Sequence, residues 1–357
     1  MAGHSHFSPA NVEEHFDFTS EGKKRIIYAF IAGVVALVVG IYLLSKGEAG
    51  GHEVAAAGHE AAKAGHEAAA EHLSGGAVSH QAGAEEHYDW TNRIWANVWL
   101  NAVFFTGIAV VGMFFVSLQY LTKSGWSAVM KRVPEAFPKF LYISLPILIL
   151  TFFFKGDVIF HWMHHGVTEV GNVNYDKIIA GKSGYLNKNF FLIRLVGFGA
   201  LWILLWNMLR KKSLEEDLNG GTEYFTQLVK IGTAFIVIFG ASSSIFAWDW
   251  VMSIDTHWFS TMFGWYMFSS WHVTTYAVIV LTILFLKDKG LMGYVNENHL
   301  HDLGKFMFAF SIFWTYVWFE QFLLIYYANL PEETIYFLER WEGHDKIYKA
   351  SEILMVI

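Results

Sequence analysis

The chain has 357 residues, of which 54% are hydrophobic, 18% aromatic and only 16% charged, with a formal net charge of −7. Soluble domains carry roughly 25% charged residues, so this deficit points to a membrane protein, and the acidic balance without a basic stripe speaks against a nucleic-acid partner. Cysteine is absent, which rules out disulfides, thiolate-held iron–sulfur clusters and thioether-linked haem on this chain.

Residues 1–22 are polar and read as an N-terminal segment on the cytoplasmic side. No cleavable signal peptide is expected, because the first apolar run has the length of a full span. Residues 23–45 form the first transmembrane helix. Lys23, Lys24 and Arg25 precede the apolar run Ile26–Leu44 and place the N-terminus in the cytoplasm. Residues 46–89 are a His/Ala/Glu-rich insert on the outer, periplasmic side. Gly-His-Glu recurs there every seven residues, at His52, His59 and His66. The histidines would share a helical face, but the glycines weaken a helix. The composition reads as a solvated outer loop or a docking arm, with weak non-specific metal binding as the alternative.

Residues 90–250 read as a four-helix bundle, spans two to five. Trp90–Leu121 enters through Trp90, Trp95 and Trp99 and presents Asn97 and Asn101 on one face. Lys123, Lys131, Arg132 and Lys139 return the chain to the cytoplasm. Phe137–Phe154 is the third span, with a kink expected at Pro146. Its outer end holds Lys155, Asp157, His161, His164 and His165. Asn189–Leu209 is the fourth span, closed by Arg210, Lys211 and Lys212, and Arg194 in its first turns calls for an acid partner. Leu228–Trp250 is the fifth, with small hydroxyl residues at Ser242, Ser243 and Ser244. Residues 251–357 begin a second bundle: Met262–Leu286, then His301–Ala328, then an outer amphipathic segment from Pro331 to Lys349. Ile353–Ile357 reads as the opening of a truncated eighth span. The fold expected is all-α: a polytopic membrane helical bundle of seven spans plus the start of an eighth.

Two stretches carry more than hydropathy. One is HDLGKFMFAFSIFWTYVWFEQFLLIYYANLPEET, from His301 to Thr334; the other is FAWDWVMSIDTHWFSTMFGWYMFSSWH, from Phe246 to His272. In both, the chain resembles the polysulfide-reductase-type (NrfD-like) membrane subunits, and most nearly the second such subunit of bacterial alternative complex III. The resemblance covers most of the chain from Trp90 onward. It implies an NrfD-like four-helix-bundle architecture in the bacterial inner (cytoplasmic) membrane, and a chain that continues past residue 357. It implies a role in a quinol:cytochrome c (electron acceptor) oxidoreductase, in which this chain is a non-catalytic or accessory subunit. The partners implied are a homologous NrfD-like quinol-binding subunit, outer iron–sulfur and multihaem cytochrome c subunits, the lipid bilayer and a terminal oxidase. Haem and iron–sulfur clusters are then expected on the partners, with quinone or menaquinone as the small molecule at hand and no covalently bound cofactor here.

Within the spans, His272 and Glu320 stand out, because ionisable groups inside a membrane mark function by default. His272 lies about 15 Å into its span at helical rise, near the midplane. Together with Ser269, Thr275, Tyr276, Tyr316 and Tyr327 they form a candidate proton path, or else neutral polar contacts that hold helices together. A second group lies near the outer face: Asp249, Asp255 and His257, with Asp157, His161 and Arg194. Acids and imidazoles there suit release of the two protons that a quinol loses on oxidation. Trp248, Trp250, Trp258 and Phe259 could flank a flat quinone ring, or form an ordinary interfacial belt in which Asp255 caps a short outer helix. No metal site is expected, and a haem reading of His161, His164 and His165 is disfavoured because haem needs paired axial ligands from facing helices. Two rival functions remain: a purely structural membrane anchor, and an independent secondary transporter.

Overall fold

The computed structural model describes residues 90–220 and 222–342, together with Lys24, Ile27, Tyr28, Ile31, Val35 and Val39 of the first predicted span. The chain divides into two compact units, residues 1–94 and 95–357. In the first unit the described positions of the first span are all helical and exposed. They recur at spacings of three and four, one stripe of a helix. The 1–22 segment, the 46–89 insert and the truncated eighth span lie outside the described residues.

All regular structure among the described residues is helical. We number the α-helices α1 Trp90–Leu121, α2 Arg132–Ala136, α3 Leu141–Ile159, α4 Lys177–Lys182, α5 Lys188–Asn219, α6 Thr222–Trp250, α7 Met262–Asp288, α8 Glu297–Ala328 and α9 Pro331–Glu342. Among the described residues six segments are long and apolar enough to cross a membrane, and they match the second to seventh predicted spans. Local chemistry sets their ends. Asn187 caps α5 by accepting from the Phe190 N–H at 2.9 Å. Asn296 and His299 form a reciprocal capping box at the start of α8, and Asn329 ends that helix in the left-handed region at φ 47°.

Several boundaries differ from those expected. The fourth span does not stop at Leu209; α5 runs on to Asn219, because Glu216 and Asp217 meet Lys131 in ion pairs of 2.9 and 3.0 Å. Backbone dihedrals stay helical through Pro146, and the break falls instead at Lys155, φ −143° and ψ 22°. Proline removes one donor, which an otherwise intact helix tolerates. At the break, the next residue is Gly156, and a β-carbon there would lie 2.9 Å from the Met163 sulfur, so the returning chain presses against it.

The post of the second unit is α1. In its most apolar window 72% of residues are buried, against 17% for α8. Trp99 donates its indole N–H to the Trp250 carbonyl at 2.8 Å. Phe114 meets Phe239 of α6 at 5.3 Å between ring centres, and Phe115 meets Tyr276 of α7 at 5.8 Å. Helix α7 pairs with α6 on one side and α8 on the other, and α5 lies between α3 and α6. One glycine sets the approach of α1 to α7: a β-carbon on Gly107 would lie 2.3 Å from the Trp271 indole. The indole is itself buried, so it has little room to yield. Gly107→Leu should therefore cost about 1–3 kcal/mol or more by overpacking. Thermal unfolding in detergent checks this, with Gly125→Leu, where the added carbon meets open space, as the neutral comparison.

Candidate functional site

The end of the bundle assigned by sequence to the outside is built around one ion pair. Arg194 lies in the second turn of α5, and Asp249 is the penultimate residue of α6. The antiparallel pairing of these helices brings the two side chains together. Arg194 Nε donates to Asp249 Oδ2 at 2.5 Å and Nη2 donates to Oδ1 at 3.1 Å. Both side chains are buried, at 6% and 1% exposure. Nη1 donates to the Tyr185 carbonyl at 3.2 Å, and the guanidinium lies 4.0 Å from the Tyr185 ring centre and 4.2 Å from that of Phe190. Three of the five guanidinium N–H groups are thus taken by a bidentate carboxylate and a carbonyl, and two aromatic rings cover its faces. Burial first, then the nearby Asp249 charge, pushes the Tyr185 phenol up to about 12. Below this pair, Ser253 donates to the Asp249 carbonyl at 2.5 Å.

The remaining outer residues form a second, exposed group. His257 Nε2 lies 2.6 Å from Asp176 Oδ2. Asp176 also caps α4 by accepting from the Ile178 and Ile179 N–H groups at 2.7 and 3.1 Å. The His161 ring lies near those of His257 and His164, tilted to both, at 5.9 and 5.0 Å between ring centres. Lys182, also on α4, donates to the Thr256 carbonyl at 2.6 Å, and burial lowers its ammonium from the ordinary lysine value. Asp157 is exposed. Asp255 is exposed too and is not a helix N-cap; it follows a 3₁₀ turn, Met252–Ile254, and accepts only from the Trp258 N–H at 3.4 Å. The next helix begins at Met262, and its N-cap position is Thr261, six residues past the expected cap. The predicted outer constellation therefore separates: Arg194 and Asp249 inside, His161 and His257 on the surface with Asp176, Asp157 and Asp255 at the rim. Of the aromatic flanks, Trp250 stacks on Phe246 at 4.1 Å and Trp258 on Tyr336 at 3.7 Å, while Phe259 is exposed.

His272 is fully buried. Its Nδ1–H donates to the Phe268 carbonyl at 2.6 Å, which leaves Nε2 as an acceptor with no partner among the described residues. Phe310 of α8 stacks on the ring at 4.5 Å and 10°, and Phe114 meets its edge at 4.9 Å. The Tyr276 hydroxyl, one turn on, is also buried without a partner. Ser269 and Thr275 donate back to their own helix, to the Tyr266 and Trp271 carbonyls at 2.9 and 2.7 Å. Glu320 lies ten residues beyond Phe310 along α8, about 15 Å from the level of His272. Tyr316 and Tyr327 are exposed. Among the described residues these groups form no continuous hydrogen-bonded chain.

Sequence reasoning missed three participants. Asp176 sits in a loop, and only its position before the short helix α4 marks it as a cap. Tyr185 contributes a ring and a carbonyl, which leave no signature. Glu135, at the opposite end, is hidden among basic residues; its carboxylate is fully buried between Arg132 and Arg210, at 2.8 and 3.0 Å. Among the described residues no group of three or more His, Asp or Glu is arranged to hold a metal ion. Set against known proteins, the chain matches no protein-family model and no curated protein.

Two outcomes follow from this geometry. Removing one member of the Arg194–Asp249 pair, as Asp249→Ala, should cost about 3–5 kcal/mol by stranding a buried charge, whereas Arg194→Met with Asp249→Leu should recover most of that. Unfolding of the three proteins in detergent measures it; a double variant no better than the single would show that the pair is not a coupled unit. The second concerns acid. Burial raises the Asp176 carboxyl, but the His257 contact and the two backbone N–H groups outweigh it and hold the group below its ordinary value of 3.8. Its contribution is therefore complete above that value and is lost as pH falls through the lower folded value. The protection factors of the Ile178–Lys182 amides, observed exchange divided into the intrinsic rate at each pH, should be larger at about pH 6 than at about pH 3, and Asp176→Asn should remove most of the difference.

Proposed function

We propose that this chain is an integral membrane subunit of a quinol-oxidising respiratory complex of the NrfD-like, alternative complex III type. The architecture implied is the NrfD-like four-helix bundle, spans two to five, with the start of a second bundle, in a bacterial inner membrane with the N-terminus in the cytoplasm. The support is the resemblance over Phe246–His272 and His301–Thr334 together with one structural observation. Glu320 sits in an apolar helix, half-buried, with no hydrogen bond or ion pair among the described residues. A carboxylate at membrane depth is costly unless something covers it. The helix that carries it is the least buried of the six. A span of this kind suits a subunit that packs against further membrane helices.

The subunit's own contribution in this reading is scaffold, with Glu320 as the residue through which protons would enter or leave a partner. The back-bonded hydroxyls of Ser269 and Thr275 and the aromatic walls of His272 favour structural roles for those three. With no cysteine, iron–sulfur clusters and thioether haem belong on partner subunits. Arg194 and Asp249 are paired with each other, so a quinone, if held at this end, would meet the exposed side chains of His161, His257 and Phe259 rather than the ion pair.

A tagged pull-down in mild detergent tests the proposal. The eluate should show a c-type haem spectrum and inhibitor-sensitive quinol:cytochrome c activity. Glu320→Gln should leave the complex assembled and lower its quinol-linked proton release. A colourless, inactive eluate from an intact preparation would overturn the respiratory reading, and unchanged proton release in Glu320→Gln would leave a structural anchor.

A further inference from the structure

At the end of the bundle opposite Asp249, a cleft of about 250 Å³ opens between the end of α1, the connection to α2, and helices α5 and α6. Phe115, Val116 and Phe225 line it with apolar surface. Gln119, Lys123, Lys131 and Glu216 supply its polar groups.

The polar groups are not equivalent. The Lys131 ammonium is already shared among Glu216, Asp217 and the Tyr120 hydroxyl, at 2.9, 3.0 and 3.3 Å. The Tyr120 hydroxyl itself donates to Glu216. That set is closed. Lys123, by contrast, is exposed at the mouth and makes no ion pair among the described residues. Gln119 is only 7% exposed, yet its Oε1 is buried with no hydrogen-bond partner among the described residues. A buried acceptor left bare costs roughly 1–3 kcal/mol, which calls for a donor from outside the chain.

A ligand that fits the cleft is specified in three parts. It offers an O–H or N–H to Gln119, brings one negative charge to Lys123, and lays an apolar portion against Phe225, which the buried Phe115 and Val116 back. The volume corresponds to about eight waters at roughly 30 Å³ each, which is the scale of a headgroup and not of a whole lipid. The cleft lies where α1 leaves the apolar region, the depth at which a lipid headgroup sits and its chains run back along the helices. Basic pockets between membrane helices at such ends take lipid headgroups. We propose that this cleft is a binding site for an anionic phospholipid whose headgroup carries a hydroxyl, of the phosphatidylglycerol type: the phosphate pairs with Lys123, a glycerol hydroxyl donates to Gln119 Oε1, and the first acyl carbons cover Phe225. A zwitterionic lipid fits less well, because its own ammonium cancels the charge that Lys123 seeks while Lys131 and Glu216 already neutralise each other.

Native mass spectrometry of the full chain in neutral detergent, titrated with phosphatidylglycerol, phosphatidylethanolamine and phosphatidylcholine of identical chains, tests the site. Phosphatidylglycerol should be retained about fivefold over phosphatidylcholine, the worth of one basic contact at the membrane surface. Lys123→Gln should abolish the preference. Lys211→Gln, an exposed cation outside the cleft, should not. Gln119→Leu should weaken phosphatidylglycerol retention without loss of fold, because it replaces a bare buried acceptor with an apolar group of similar size. Equal retention of the three lipids, or equal loss in Lys123→Gln and Lys211→Gln, would overturn the site. Preference for phosphatidylethanolamine would overturn the anionic assignment. Displacement of phosphatidylglycerol by millimolar glycerol 1-phosphate, with glycerol 1-phosphate itself retained, would make it a site for a soluble phosphate and overturn the lipid.

Discussion

A charge inside a membrane protein has to be answered by another within reach, and the second unit is organised by that demand. Helix α5 carries an arginine near each end of its membrane-crossing portion, Arg194 and Arg210. Each meets a buried carboxylate on a different element, Asp249 of α6 and Glu135 of α2. Sixteen residues separate the arginines, about 24 Å at helical rise, comparable to the roughly 30 Å of a hydrocarbon core. The helix is thus pinned at both ends and cannot slide along its neighbours without exposing two charges. Dispersion and aromatic packing fill the space between, but they are tolerant of small shifts; the ion pairs are not. The prolongation of α5 past Leu209 belongs to the same scheme, since Lys131 and Arg132 take up Glu216 and Asp217 beyond it.

Much of the helical framework was legible in the sequence because a membrane span is a one-dimensional signal. Roughly 20 apolar residues with charged or aromatic ends mark it without any knowledge of neighbours. What the signal lacks is direction around the helix. In α1 apolar residues lie on every face, so nothing in the run from Trp90 to Leu121 distinguishes a central post from a peripheral helix. Its centrality shows only in what surrounds it, with Trp271 against Gly107 and Phe239 against Phe114. Pro146 misled for a related reason: proline weakens one hydrogen bond, but the actual break at Lys155 is set by tertiary pressure on Gly156.

The site was legible where it involved a charge in an apolar run. Arg194 announces a missing acid, and Asp249 is the nearest one at the same level. It was not legible where the partners lie in loops. His257 and Asp176 are 81 residues apart, and neither stands in a pattern that names the other. Glu135 was obscured by its company, because Lys131, Arg132 and Lys139 make the segment read as a basic end. The buried acid is what holds Arg132 and Arg210 in place.

The polar groups at the midplane and on the periphery divide in the same physical terms. His272 is enclosed by Phe114, Phe268 and Phe310, and its bare Nε2 faces no donor among the described residues. A proton relay needs an unbroken alternation of donors and acceptors, and aromatic rings interrupt it on each of these sides. Glu320 is in the opposite situation: it is on the least buried of the six spans, half-buried, and it has no hydrogen bond or ion pair among the described residues. The two residues that sequence grouped as one path therefore have opposite accessibility. The closed one contributes to the packing between α1, α7 and α8. In the function proposed above, the open one is where a neighbouring membrane helix would bring a donor, and α8 would be the face that packs against it.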